Sequence, residues 1–418
     1  MAIHRIQEWA IRTAEYMALR YHDRVKHTLV VVAMCVAMVE TVRLKPHATY
    51  IRDATYAPDA TYEVYVASEA SDTISLVRFG PQGGPVVHAF GTGIMPTEID
   101  GPHGLAIAPD RRFYYVSLAH GQPFGTVLKY STADDTVVGQ VTLGMFPATM
   151  QTTPNGELLY VVNFNLHGDM VPSSVSVVAT AEMLEVARIP TCTMPHGSRI
   201  NPQGTKHYSA CMMDDLLVEI DTATLRASRY FVLTKGAEKG HAGSPAAGAS
   251  AASSAAHTHD MVGHGLDAPK ARATTCSPTW AQPSSDGRSV FVACNASNEI
   301  VEVDVASWTM TRRFAAGQGV YNLAATKDGR LVATNKRGQS VSVIDARDGG
   351  ELKLIATRRR VVHGVVVSPD DRYAFVSVEG VGAEPGTVEM IDLRTLTTVA
   401  TVDVAPQAGG IDFYRMNR

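Results

Sequence analysis

A short turn signature returns along most of this chain at a nearly fixed interval, and no other feature restricts its fold as much. The copies are Ala108-Pro109-Asp110, Thr153-Pro154-Asn155-Gly156, Asn201-Pro202-Gln203-Gly204, Ser284-Ser285-Asp286-Gly287, Thr326-Lys327-Asp328-Gly329 and Ser368-Pro369-Asp370. Successive starts lie 45, 48, 83, 42 and 42 residues apart. Each copy sits between two runs of apolar and small residues, which is the pattern of a β-hairpin; the stretch from Cys192 to Cys211 is the clearest example. Alternating runs that end in an acidic turn follow: Leu216 to Asp221, Glu299 to Asp304, Ser340 to Asp345 and Thr387 to Asp392. A repeat of this length holding four short strands is a β-propeller blade. The interval of 83 spans two periods, so blade 4 carries an insertion.

Blades 2, 3 and 4 begin near Gly101, Phe146 and Pro195, and blades 5, 6 and 7 near Ser277, Gly319 and Val361. Tyr62 to Gly93 supplies only three strands, and Gly409 to Tyr414 has the character of the missing inner one. The expected fold is therefore all-β: a seven-bladed β-propeller over residues 61–418, closed by the C-terminal strand pairing into blade 1 at Glu63 to Ser68. Closure removes the exposed edges that an open sheet would leave. Residues 1–60 stand outside the repeat. There Arg24, Lys26 and His27 precede the apolar run Thr28 to Val39, which has the length of a signal-peptide core and is short for a membrane span. The segment reads as a leader for export to the periplasm or the exterior, with Met17 as a start that would shorten it. An uncleaved anchor or a buried apolar strand is the alternative.

Tyr65-Val66-Ala67-Ser68, Tyr160-Val161-Val162-Asn163 and Phe291-Val292-Ala293-Cys294, with the Pro-Asp/Asn-Gly turns, resemble the blade repeat of the YVTN family of β-propellers over about residues 60 to 418. That superfamily is similar to the haem d1 domain of nitrite reductase and to the N-terminal propeller of nitrous oxide reductase. The resemblance implies the fold. It leaves function open, because such propellers include surface-layer, quinoprotein, lactonase-like and plain binding proteins. The sequence holds no Cys-x-x-Cys-His, so covalent c-type haem has no attachment site. A formal charge of −4 without a polybasic tract argues against nucleic acid. Neither a Gly-x-Ser-x-Gly elbow nor a phosphate-binding glycine loop is present.

The register assigns residues to a face. Six residues before the second residue of each anchor stand His103, Ala148, His196, Thr279, Tyr321 and His363, with Gln407 taken as the blade 1 equivalent. These begin the inner strands and should surround the top mouth of the central channel. His103, His196 and His363 fall on blades 2, 4 and 7, a spacing that would let three imidazoles approach one metal ion and leave a position open. Thr279, Trp280, Tyr321 and Gln407 are expected to line the channel. His120, His167 and Met194, Met212 and Met213 fall on the same face. Imidazole with thioether favours copper; imidazole alone also suits iron or zinc. The structural alternative stays open, because Pro-His-Gly commonly opens a blade with its imidazole bonded to a neighbouring carbonyl.

The insertion covers about residues 235–275. Its low-complexity centre, Ala242 to Ala256, precedes His257, His259, Met261 and His264, a second candidate metal set or else a surface loop. His241, at the start of the insertion, falls on the same top face. Cys192 and Cys211 bracket the blade 4 hairpin, and Cys276 and Cys294 bracket that of blade 5 at matching places. Antiparallel pairing would join each pair as a disulfide, consistent with export; in a reducing compartment the four thiolates would instead be metal ligands. The functional expectation is an exported monomer that takes a transition metal, a small ligand or another exported protein at its top face, with a redox metalloprotein among the readings. A non-catalytic scaffold, or a lactonase- or lyase-like enzyme with one of the three histidines as general base, is the alternative. Membrane attachment would run only through the N-terminal segment.

Overall fold

The computed structural model describes residues 50–53, 56–81, 84–94, 97–121, 123–245 and 274–417. These belong to the unit Ala48–Arg418 and form seven antiparallel sheets, the blades of a propeller. Blade 2 shows the common plan from the channel outward: Pro102–Ile107, Phe113–Leu118, Thr126–Ser131 and Val137–Thr142. Ala408–Asn417 is the inner strand of blade 1 and pairs with Thr61–Ser68, setting Tyr65 opposite Asp412 and Val66 opposite Ile411. The first and last strands of the ring thus share one sheet, as expected.

The turn signature recurs because it satisfies its own polar groups. The hydroxyls of Thr153, Ser284, Thr326 and Ser368 donate to the side chains of Asn155, Asp286, Asp328 and Asp370 two residues on. Each also accepts the backbone N–H of Leu158, Ser289, Arg330 or Tyr373 across the turn. A side chain that bonds its own backbone in this way fixes a tight turn at small entropic cost. Between blades the apolar faces of middle strands meet. Tyr62, Val64 and Phe79 of blade 1, for example, pack on Tyr373, Phe375 and Met390 of blade 7, all buried. Outer strands alternate between half-buried and exposed residues instead, as strands with one wet face do.

Two strands exceed the repeat. Tyr50–Arg52 pairs with the outer strand of blade 7, Thr397–Val404, so residues read as leader reach the propeller edge. Lys239–Ala242 adds a fifth strand to blade 4. His241 lies on it, stacked on Tyr230 with ring centroids 4.9 Å apart; the expected top-face position is corrected, because the start of the insertion extends the sheet. Both disulfides are present: Cys192–Cys211 with 5.9 Å and Cys276–Cys294 with 4.4 Å between Cα atoms. The register brings them together by pairing Pro195 with Cys211 and Pro278 with Cys294. The apolar run Thr28 to Val39 and the set His257, His259, Met261 and His264 lie outside the described residues. Among the described residues no helix is long and apolar enough to cross a membrane.

Candidate functional site at the channel mouth

In six blades the residue just before the inner strand adopts positive φ: Gly101, Phe146, Met194, Ser277, Gly319 and Gln407, between 46° and 66°. Two residues further on stand His103, Ala148, His196, Thr279 and Tyr321. The same count in blade 1 reaches Gly409, which corrects the assignment of Gln407; blade 1 has no turn anchor of its own from which to count. Gln407 instead uses its backbone carbonyl to accept the N–H of Glu69. The carbonyls of this inner ring are tied by hydroxyls from the preceding blades, Thr279 to Tyr321 at 2.8 Å, Thr334 to His363 at 2.9 Å and Ser377 to Gly409 at 2.6 Å. The glycine after each histidine has a reason too. A Cβ on Gly104 would lie 1.7 Å from the carbonyl oxygen of Ala148, and one on Gly197 2.2 Å from that of Thr279. Blades approach so closely here that only glycine fits.

The three expected histidines meet around Tyr321. Ring centroids are 5.6 Å apart for His103 and His363, 5.0 Å for Tyr321 and His363, and 5.2 Å for His196 and Tyr321. His196 spends both ring nitrogens: Nδ1–H donates to the carbonyl of Thr279 and Nε2 accepts from the Tyr321 hydroxyl, each at 2.8 Å. Burial pulls its pKa down to about 3, so the ring is neutral. This is the structural role set out above as the alternative for a Pro-His-Gly histidine. His363 is held well below the ordinary histidine range by burial and by the nearby Lys336 cation. Its Nε2 faces Glu379 Oε1 at 3.8 Å, and the same oxygen receives Lys336 Nζ at 3.3 Å.

Glu69 organises the other side. It accepts His103 Nδ1–H at 2.7 Å and His120 Nε2–H at 2.8 Å. Burial disfavours its charge, but the two imidazoles prevail and bring its pKa down to about 2. Lys336 lies 4.5 Å from the Tyr321 ring centroid. Burial also opposes this charge, and Tyr321 with Glu379 more than offsets it, raising the ammonium pKa. Phe146 and Phe164 form an apolar wall, 5.2 Å from His103 and 4.8 Å from His196, with the exposed His167 beside Phe146. Trp280 lies deeper in the channel under the guanidinium of Arg199, 4.4 Å from its ring centroid. Among the described residues no group of three or more His, Cys, Asp or Glu side chains is disposed to hold a metal ion.

Sequence reading missed Glu69, Lys336 and Glu379. A signal existed, since each ends or directly follows the second strand of its blade, Thr61–Ser68, Arg330–Asn335 and Tyr373–Glu379. Those strands end on the face where inner strands begin. The opposite mouth holds a cavity of about 390 Å³, lined by the anchor prolines Pro109, Pro154 and Pro202 with Asp412 as its one titratable side chain. Ionisable chemistry gathers at the top.

No protein-family profile and no curated protein matches the sequence. Solved structures do. The periplasmic gluconolactonase PpgL of Pseudomonas aeruginosa is 16% identical with a TM-score of 0.60, covering 84% of this chain and 99% of its own. The dihydro-heme d1 dehydrogenase NirN is 14% identical with a TM-score of 0.53, covering 87% of this chain and 77% of its own. Hydrazine synthase of Kuenenia stuttgartiensis is 20% identical with a TM-score of 0.51, over 72% and 80%. At these identities the likenesses carry the fold alone, a β-propeller.

Proposed function

We propose that this protein is an exported propeller that binds a small oxygen-rich ligand at its top mouth, a carboxylate or a polarised carbonyl compound. The observation that carries this reading is the convergence of His103, Tyr321 and His363 on one channel end with Lys336 beside them. Lys336 supplies the positive charge for a ligand oxygen, and the aromatic wall supplies apolar contact, the usual make-up of a small-molecule site. A neutral, buried His363 next to Glu379 is also equipped to take a proton from a bound substrate or water. That would make the protein an enzyme of the lactonase class, and the fold likeness to a gluconolactonase makes lactones the first substrates to try. Export is supported by the two disulfides, which belong to an oxidising compartment.

The second reading is a transition metal, copper, iron or zinc. One observation favours it: Glu69 holds Nδ1 of His103, as carboxylates orient metal-ligating imidazoles, and leaves Nε2 for a ligand bond. His196, with both nitrogens committed, would have to give up a partner to join. Elemental analysis of untagged protein separates the readings, and calorimetry with a panel of small acids and lactones tests the first. Binding should weaken roughly tenfold or more in Lys336→Met and His363→Ala, the value of one lost bond to a charged group. Near-stoichiometric metal that His103→Ala abolishes would select the second reading. Neither binding nor metal would leave a scaffold.

A further inference from the structure

Below the mouth the channel narrows to a cavity of about 30 Å³. Three side chains on its wall keep a polar atom without a protein partner: Trp280 Nε1, Asn322 Oδ1 and His363 Nδ1. All three residues are more than nine-tenths buried, with 4%, 5% and 8% exposure. Arg199 lines the same cavity, and one of its guanidinium N–H groups is spent on the carbonyl of Ser198. Burial lowers its pKa to about 10, which leaves it cationic at neutral pH. No carboxylate lines this cavity; Asp412, the acid nearest in charge to Arg199, lines the opposite mouth and accepts the backbone N–H groups of Ile107 and Phe413.

An indole N–H can only donate, and a guanidinium can only donate. An imidazole donates from Nδ1 in one of its two neutral tautomers, and the Asn322 amide presents its NH2 after a half-turn that leaves its shape unchanged. Four groups from blades 4, 5, 6 and 7 therefore offer N–H bonds to a space with a fixed positive charge and no negative one. The space is small, and a single compact anion fills it without the carbon frame of a carboxylate ligand. Buried donors left unmet carry a desolvation penalty, and a charged acceptor is the strongest remedy.

We propose that the channel binds one halide-sized monatomic anion, chloride in physiological media, through Arg199, Trp280, Asn322 and His363. This goes beyond the ligand site at the mouth. The anion joins four blades at the axis and fixes the tautomer of His363 by accepting its Nδ1–H.

Crystals soaked in bromide test it directly. An anomalous peak within hydrogen-bond distance of Trp280 Nε1 and Arg199 is expected; a water there and no bromide signal overturns the proposal. In solution, the melting temperature should rise more in sodium chloride or bromide than in sodium gluconate of equal ionic strength. Trp280→Phe keeps the ring and removes the donor, and should weaken the apparent halide affinity about tenfold. Arg199→Met should abolish it if that variant folds by circular dichroism; the Trp280→Phe measurement stands without it. Equal stabilisation by both salts, or an undiminished halide effect in Trp280→Phe, would refute the site.

Discussion

His207 illustrates how a single buried residue sets a property of the whole protein. It is fully buried in blade 4, stacked on Tyr160 at 5.0 Å, and neither ring nitrogen has a protein partner. Burial lowers its pKa to about 3, and that of His196 likewise, from the ordinary 6.5. For such a group the unfolded chain takes up the proton first, so its stability contribution is complete above about pH 6.5 and falls as pH drops toward 3. At pH 5 each of these histidines costs about 2 kcal/mol relative to neutral pH. Glu69, depressed to about 2 from 4.5, loses its contribution lower down, as pH falls from about 4.5 through 2. His207→Phe should therefore flatten the decline in melting temperature between pH 7 and 5 by the share that His207 contributes beside His196 and His363. Thermal scans at both pH values measure it, and an unchanged slope would show that His207 is protonated or partnered in the folded protein. The Tyr321 hydroxyl likewise fixes the tautomer of His196, which explains why a histidine in ligand register is held as a structural residue.

Among elements, the C-terminal strand matters most. Ala408–Asn417 supplies the buried Ala408 and Ile411 to the cluster shared by blades 1 and 7, and Asp412 sits opposite Tyr65. Removing it opens the ring and exposes the edge of Thr61–Ser68. A chain ending at Gln407 should lose most of its cooperative unfolding transition by calorimetry. Tyr50–Arg52 is the contrast, three exposed residues on the outer edge of blade 7. Deleting residues through Arg52 should shift the midpoint little, and a collapse comparable to the C-terminal truncation would mean that the outer strand, not the closure, holds blade 7.

At the scale of the molecule, both disulfides clasp the inner hairpins of blades 4 and 5, which flank the insertion. The loops they close span 19 and 18 residues, and each should stabilise the fold by about 3 kcal/mol. Reducing both should lower the denaturant midpoint sharply, and in native protein four cysteines should resist alkylation until reduced. Free Cys192 or Cys276 in the native protein would contradict the pairing. The two faces of the ring also differ in kind. Turn anchors and prolines shape the lower mouth, whereas second-strand ends deliver Glu69, Lys336 and Glu379 to the upper one.

The periodic anchors and the alternating strands were sufficient to determine seven blades and the closing strand, because each is a local pattern repeated at fixed spacing; the cysteine spacing gave the two pairs, and the structure decided between disulfides and metal-ligating thiolates. His103, His196, His363 and Tyr321 were legible as one ring for the same reason, while blade 1, lacking an anchor, was misread by two residues at Gln407. Which partners those rings take was decided only in three dimensions. Thr279 of blade 5 captures Nδ1 of His196 from blade 4, Glu69 of blade 1 captures His103 and His120 of blade 2, and Trp280 of blade 5 meets Arg199 of blade 4. These contacts join residues 34 to 83 positions apart. Sequence spacing fixes which face a side chain occupies, but hydrogen bonding and desolvation depend on the neighbours that the closed ring brings to it.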